Sequence, residues 1–168
     1  MNLVNKKSYI KKSTFISLFF MITVMVLLSI FVISWGPVES ASMSPTIEVG
    51  QYCIVNKLAY TNKEPQRGEV IAFYTTQAGE KKYLIKRIIG MPGEHIEFID
   101  GYVFVDGNRL DEIYIDDTLE SNCLQTFDVP KDCVFVLGDN RGGSYDSRFW
   151  EEPYLKISDI EGQIMFVL

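Results

Sequence analysis

One stretch of this sequence restricts the fold more than any other. From Ser13 to Val38 no side chain carries a charge, and within it Thr14–Trp35 reads TFISLFFMITVMVLLSIFVISW, 22 residues. As a helix at about 1.5 Å per residue, this run covers roughly the ~30 Å hydrocarbon core of a bilayer. It has no single polar stripe, which argues against an amphipathic surface helix. A cleaved secretory signal is the alternative, because it also starts basic and Ser40-Ala41-Ser42 has a small-x-small form. Its apolar core would run about 7–15 residues, shorter than this one. The expected organisation is therefore a basic tail at 1–13, a transmembrane helix at 14–35 and a folded ectodomain at 36–168.

Charge sets the orientation. Lys6, Lys7, Lys11 and Lys12 precede the span, and no acidic residue does. Subtracting these four from the chain's 16 basic residues leaves 12 against all 22 acidic residues in 36–168, a formal charge of −10. The positive-inside rule puts the N-terminus in the cytoplasm and the ectodomain outside the plasma membrane, with Trp35 at the outer interface. So acidic a body, without a basic stripe, is a poor ligand for phosphates, and no nucleic-acid partner is expected. Cys53, Cys123 and Cys133 form no CxxC pair and have no histidine cluster beside them, so no metal site is expected. A Cys123–Cys133 bridge is compatible with an exported domain; the alternative is three small buried hydrophobes.

Beyond the span the pattern is β. Tyr52–Leu58, Val70–Thr75, Tyr83–Gly90, Cys133–Leu137 and Gly162–Leu168 are short runs rich in Val, Ile, Tyr and Phe. Ile96–Ile99 and Tyr102–Val105 flank Asp100-Gly101, a two-residue hairpin signal, and Asp106-Gly107 follows as a second turn. No segment here keeps a 3.6-residue period for ten residues. The fold class is all-β, short antiparallel strands closed or folded on themselves to hide their edges. Residues 110–130, acidic and irregular, read as an excursion from the sheet.

Three segments carry candidate chemistry. His95 is the only histidine, and there is no GxSxG elbow to present a serine to it. An activated nucleophile in this chain therefore needs another base, and His95 reads as a partly exposed strand residue. Ser40-Ala41-Ser42-Met43-Ser44-Pro45 places alternating serines just after the span, where Pro45 forces an irregular backbone; by itself this is also what a linker looks like. In the strand around Lys86-Arg87, alternation gives one of the two an apolar face. Arginine keeps its proton, whereas a desolvated lysine can lose it and serve as a general base. A snorkelling lysine is the plainer reading of that segment alone. Gly138–Arg148 reads as a polar turn in which Asp146 and Arg148 can pair and Ser144 or Ser147 can donate a hydrogen bond.

Together these segments resemble the type I signal peptidases. Ser42-Met43-Ser44-Pro45-Thr46 is similar to that family's Ser-Met-x-Pro-Thr box, and Arg67-Gly68-Glu69 to its Arg-Gly-Asp box, with Glu for Asp. Lys86-Arg87-Ile88-Ile89-Gly90-Met91-Pro92-Gly93-Glu94 resembles its lysine box, again with Glu for Asp, and Gly138–Arg148 resembles its Gly-Asp-Asn-x-x-x-Ser-x-Asp-Ser-Arg box. The resemblance implies a signal-peptidase-like β-domain and a serine endopeptidase working through an acyl-enzyme. It makes Ser42 the nucleophile and Lys86 the base. Ser144 would orient the lysine, Ser40 would join the Ser42 N–H in an oxyanion hole, and Asp146 and Arg148 would brace the loop. No metal or cofactor is implied. The implied partners are secreted preproteins with Ala-x-Ala-type cleavage sites, the lipid bilayer and, in some arrangement, the protein translocation channel.

Overall fold

The computed structural model describes residues 3–77, 79–115 and 123–168. It divides into two units, 1–34 and 35–168. In the first, helix α1 spans Leu3–Val32, rather than the 14–35 stretch read from hydropathy. Among the described residues no helix is long and apolar enough to cross a membrane.

Antiparallel strands build the rest. They are β1 (Ile33–Pro37), β2 (Tyr52–Asn56), β3 (Val70–Gln77), β4 (Glu80–Gly90), β5 (His95–Ile99) and β6 (Tyr102–Val105). Then follow β7 (Asn108–Arg109), β8 (Phe127–Asp128), β9 (Cys133–Leu137), β10 (Leu155–Lys156) and β11 (Ile160–Val167). One sheet has seven strands in the order β1-β2-β11-β3-β4-β9-β10, and the other four in the order β7-β6-β5-β8. The expected hairpin is β5–β6, and its turn residues Asp100 and Gly101 both take positive φ, 50° and 82°. That left-handed pair is what a tight hairpin turn needs. Residues 110–115 leave the four-stranded sheet and the chain rejoins it at β8; positions 116–122 of the expected excursion lie outside the described residues.

Strand β9 shows why the core sits where it does. All five of its residues are buried, which is why Cys133–Leu137 reads as an unbroken apolar run rather than an alternating one. Val134 and Val136 face Ile71, Phe73 and Ile88, while Phe135 and Leu137 face Ile89, Ile96, Val103 and Phe127. A third cluster, Val38, Met43, Ile47 and Cys53, lies beneath the turn that carries Ser42. The three cysteines are free thiols, so the Cys123–Cys133 bridge is not formed; the buried-hydrophobe alternative describes Cys53 and Cys133, while Cys123 is half-buried.

Candidate active site

Ser42 sits on a single 3₁₀ turn, Ala41–Met43, between β1 and β2. Pro45 stops the turn and follows a cis peptide bond from Ser44. Met43, 2% exposed, roots the turn in the third core cluster. Strand β4 brings Lys86 to it. Lys86 Nζ lies 2.7 Å from Ser42 Oγ, 44 residues away in sequence, and Ser40 Oγ lies 3.3 Å from the same oxygen.

Both members of the Lys86-Arg87 pair are buried, at 2% and 8% exposure, where alternation alone assigned only one of them an apolar surrounding. The second is accommodated by an acid. Arg87 binds Asp139 through Nε at 2.9 Å and a terminal nitrogen at 2.6 Å. Thr46 donates to the same fully buried carboxylate at 2.5 Å. Lys86 has no ion pair among the described residues. Burial lowers its pKa to about 8, against the opposing pull of Asp146 and Asp139 and with a smaller contribution from Arg148.

The Gly138–Arg148 loop holds the turn by its backbone. Asn140 N–H donates to the Ser42 carbonyl at 3.1 Å, and Asn140 Nδ2 donates to the Ala41 carbonyl at 3.1 Å. Asp146 takes two bonds from Arg148, at 2.8 and 2.9 Å, and accepts the Gly138 N–H at 3.0 Å. Arg148 in turn donates to the Arg141 carbonyl at 2.7 Å. Ser147 Oγ accepts the Val136 N–H at 3.0 Å, tying the loop to β9. Ser144 differs from expectation: its buried Oγ has no hydrogen-bond partner among the described residues, and the bond to Lys86 is not made. The lysine amine is turned to Ser42 instead. A Cβ on Gly138 would collide with both Ser144 Oγ and the Ser42 carbonyl, so Ser144 lies beside the Ser42 backbone all the same.

Arg87, Thr46, Asp139, Asn140 and Arg141 therefore join the residues singled out from the sequence. Arg87 and Asp139 were findable, because a buried arginine beside a candidate base demands a carboxylate. The two glutamates that stand for aspartates have structural partners. Glu94 takes both terminal nitrogens of Arg67, at 2.8 and 2.5 Å, and Glu69 accepts from Tyr60 and Lys63. His95 is elsewhere, in the four-stranded sheet, bound to Asp128 at 2.6 Å; that hydrogen bond raises its pKa.

A buried serine–lysine contact on a two-sheet antiparallel body describes a hydrolase class, and the comparisons give the family. Residues 11–168 match the family described as signal peptidase, peptidase S26. The chain belongs to that family and is a peptidase. It is 38% identical to a signal peptidase I from Bacillus caldolyticus, over 88% of this chain and 86% of that one. It is 40% identical to a probable signal peptidase I-2 from Synechocystis, over 67% of this chain and 53% of that one. A crystal structure of a signal peptidase I from Enterococcus faecalis V583 aligns with a TM-score of 0.50 and 31% identity, covering 61% of this chain and 98% of that one.

Proposed function

We propose that this chain is a membrane-anchored endopeptidase that removes signal peptides from secreted preproteins at the outer surface of the plasma membrane. The observation that carries the reading is the 2.7 Å contact between Ser42 Oγ and a buried Lys86 that lacks a counter-ion among the described residues. Neutral Lys86 takes the Ser42 proton as Oγ attacks the scissile carbonyl carbon. The negative charge that develops on the carbonyl oxygen is met by the Ser42 N–H and the Ser40 hydroxyl. Collapse of the intermediate breaks the peptide bond, and the leaving amine takes the proton from Lys86. Water then attacks the acyl ester under the same lysine, freeing Ser42 and releasing the signal peptide as a carboxylate. Asp146 and Arg148 brace the loop, and a turn of the Ser144 hydroxyl toward the amine would hold Lys86 in place between steps.

An extended substrate fits the sheet. Among the described residues, β4 pairs with β3 alone from Glu80 to Ile85, and β9 joins from Arg87 onward. That open edge ends at Lys86 and offers backbone partners to a preprotein lying as an added strand. Half-buried Leu84 on this strand, with Met43 on the neighbouring turn, suits small residues of the Ala-x-Ala kind. The bilayer is the second partner: Phe15, Phe19 and Met25 on α1 leave over two thirds of their surface uncovered, following the basic tail. The translocation channel is the third, as the source of the substrate.

The test is cleavage of a detergent-solubilised preprotein bearing an Ala-x-Ala site. Wild type is expected to cut after the second Ala, and folded Ser42→Ala and Lys86→Ala to lose roughly 10³-fold or more. Because the base must be neutral, kcat/KM is expected to rise about tenfold per pH unit and level off near pH 8. Near-normal activity in Lys86→Ala would sink the assignment and return attention to His95.

A further inference from the structure

One short segment outside all four motif boxes grips the site from behind. Arg141, 2% exposed, donates from Nε to the Gly138 carbonyl at 3.1 Å. Its two terminal nitrogens meet the carboxylate of Glu112 at 3.0 and 2.5 Å. Glu112 lies just past β7, in 110–115. Tyr114 of the same stretch donates its hydroxyl to Glu112 at 2.8 Å and lays its ring 3.9 Å from the Arg87 guanidinium. Arg87 is the arginine that holds Asp139. The segment thus restrains the 138–148 loop at two points just after Gly138, Asp139 and Arg141.

We propose that Glu112 is a positioning residue for the Ser42–Lys86 pair, acting through Arg141 and the backbone of Gly138. An arginine cannot shed its charge when its partner is lost. Without the Glu112 carboxylate, the buried guanidinium loses two charge-assisted hydrogen bonds and is freer to shift, and it is bonded to the Gly138 carbonyl as it moves. Gly138 has no slack: it is packed so closely on Ser144 and the Ser42 carbonyl that even a methyl group does not fit. Displacement there shifts the nucleophile turn and opens the wall that keeps water from Lys86. The charged groups acting on Lys86, Asp146, Asp139 and Arg148, all ride on the same loop. Glu112 lies in none of the boxes and is separated from Arg141 by 29 positions, so motif reading passes over it.

The inference rests on the proposed serine–lysine chemistry, and the experiment separates the two. Purified full-length wild type, Lys86→Ala and Glu112→Gln are assayed on the same Ala-x-Ala preprotein in detergent from pH 6 to 10, with thermal melts alongside. Glu112→Gln is expected to fold and to lose roughly 10- to 100-fold in kcat, the size a misplacement of about 1 Å produces, with KM within about threefold. Its pH profile is expected to move to higher pH, because a wetter Lys86 returns toward its ordinary basicity. A purely structural pair would lower the melting temperature and leave the profile of the folded enzyme in place; that result overturns the inference. If Glu112→Gln does not fold, Tyr114→Phe carries the test, since it keeps the ring and Glu112 and removes one hydrogen bond. A smaller alkaline move is then expected, and an unmoved profile rejects the role. Activity in Lys86→Ala would instead mean that the underlying chemistry is wrong.

Discussion

Lys86 and Arg87 are neighbours on one strand, both shut away from water, and they meet burial in opposite ways. Arg87 cannot lose its proton, so it recruits Asp139 in a two-bond pair. Among the described residues Lys86 has no carboxylate partner, and burial pushes it toward neutrality, as the proposed base requires. The arrangement has a stability consequence with a definite sign. Folding lowers the Lys86 pKa from 10.5 to about 8. The folded protein therefore holds fewer protons than the unfolded chain between those values, and its stability rises as pH climbs through that window. Below pH 8 the buried lysine costs about 3 kcal/mol. Lys86→Met, similar in volume and without charge, is expected to abolish cleavage and yet melt higher than wild type at pH 7. The gain is that penalty less about 1 kcal/mol for the lost Ser42 hydrogen bond. Urea melts at pH 7 and pH 10 check it: the gap between the two proteins should close at the higher pH, and a gap that stays constant would refute the desolvation argument.

At the scale of elements, the site is a junction of a one-turn helix, a strand and a loop that share few covalent neighbours. The 3₁₀ turn has too few bonds of its own to hold Ser42, so Asn140 takes the Ala41 and Ser42 carbonyls from outside and Met43 anchors the turn below. Gly138 is where loop and turn come closest. Gly138→Ala is therefore expected to cost about 1–3 kcal/mol by overpacking and to reduce cleavage more than the melting temperature suggests, because the intruding carbon meets the Ser42 carbonyl itself. Denaturant melts and initial rates on one sample measure both effects. Wild-type activity in that variant would mean the loop and turn yield freely.

For the whole molecule, the two units carry two tasks under the proposed function: α1 brings the chain to the bilayer, and the body from Trp35 onward carries the chemistry. The full chain is expected to stay with the membrane pellet through alkaline carbonate washing. In intact cells stripped of their wall, added protease should reach 36–168 and spare a tag on the N-terminus. Release by carbonate would replace the anchor with a peripheral attachment, and the opposite protease pattern would reverse the orientation.

How much of this was legible depends on how local the cause is. The β5–β6 hairpin was readable because Asp100-Gly101 dictates its own turn, and β9 because five consecutive buried residues leave an unbroken apolar run. Three of the motif segments named residues that the structure brings together around Ser42 and Lys86, and the resemblance, not local pattern, assigned their roles. The partition of 110–130 between a restraining segment and β8 was not readable, because nothing nearby in the chain names its partners. Nor was the lack of a partner for Ser144 among the described residues, which depends on how the Lys86 amine turns. By itself the sequence determined the apolar N-terminal stretch, the β character of the body, the strand cores and the chemical vocabulary of the site, all properties of composition and short-range pattern. Only the tertiary structure decided that Lys86 would have no counter-ion among the described residues while Arg87 took Asp139, that Asn140 would hold the Ser42 turn, and that Glu112 would reach Arg141. The physical reason is that burial and pairing are set by which distant segments the two sheets press together, and no stretch of the chain contains that information alone.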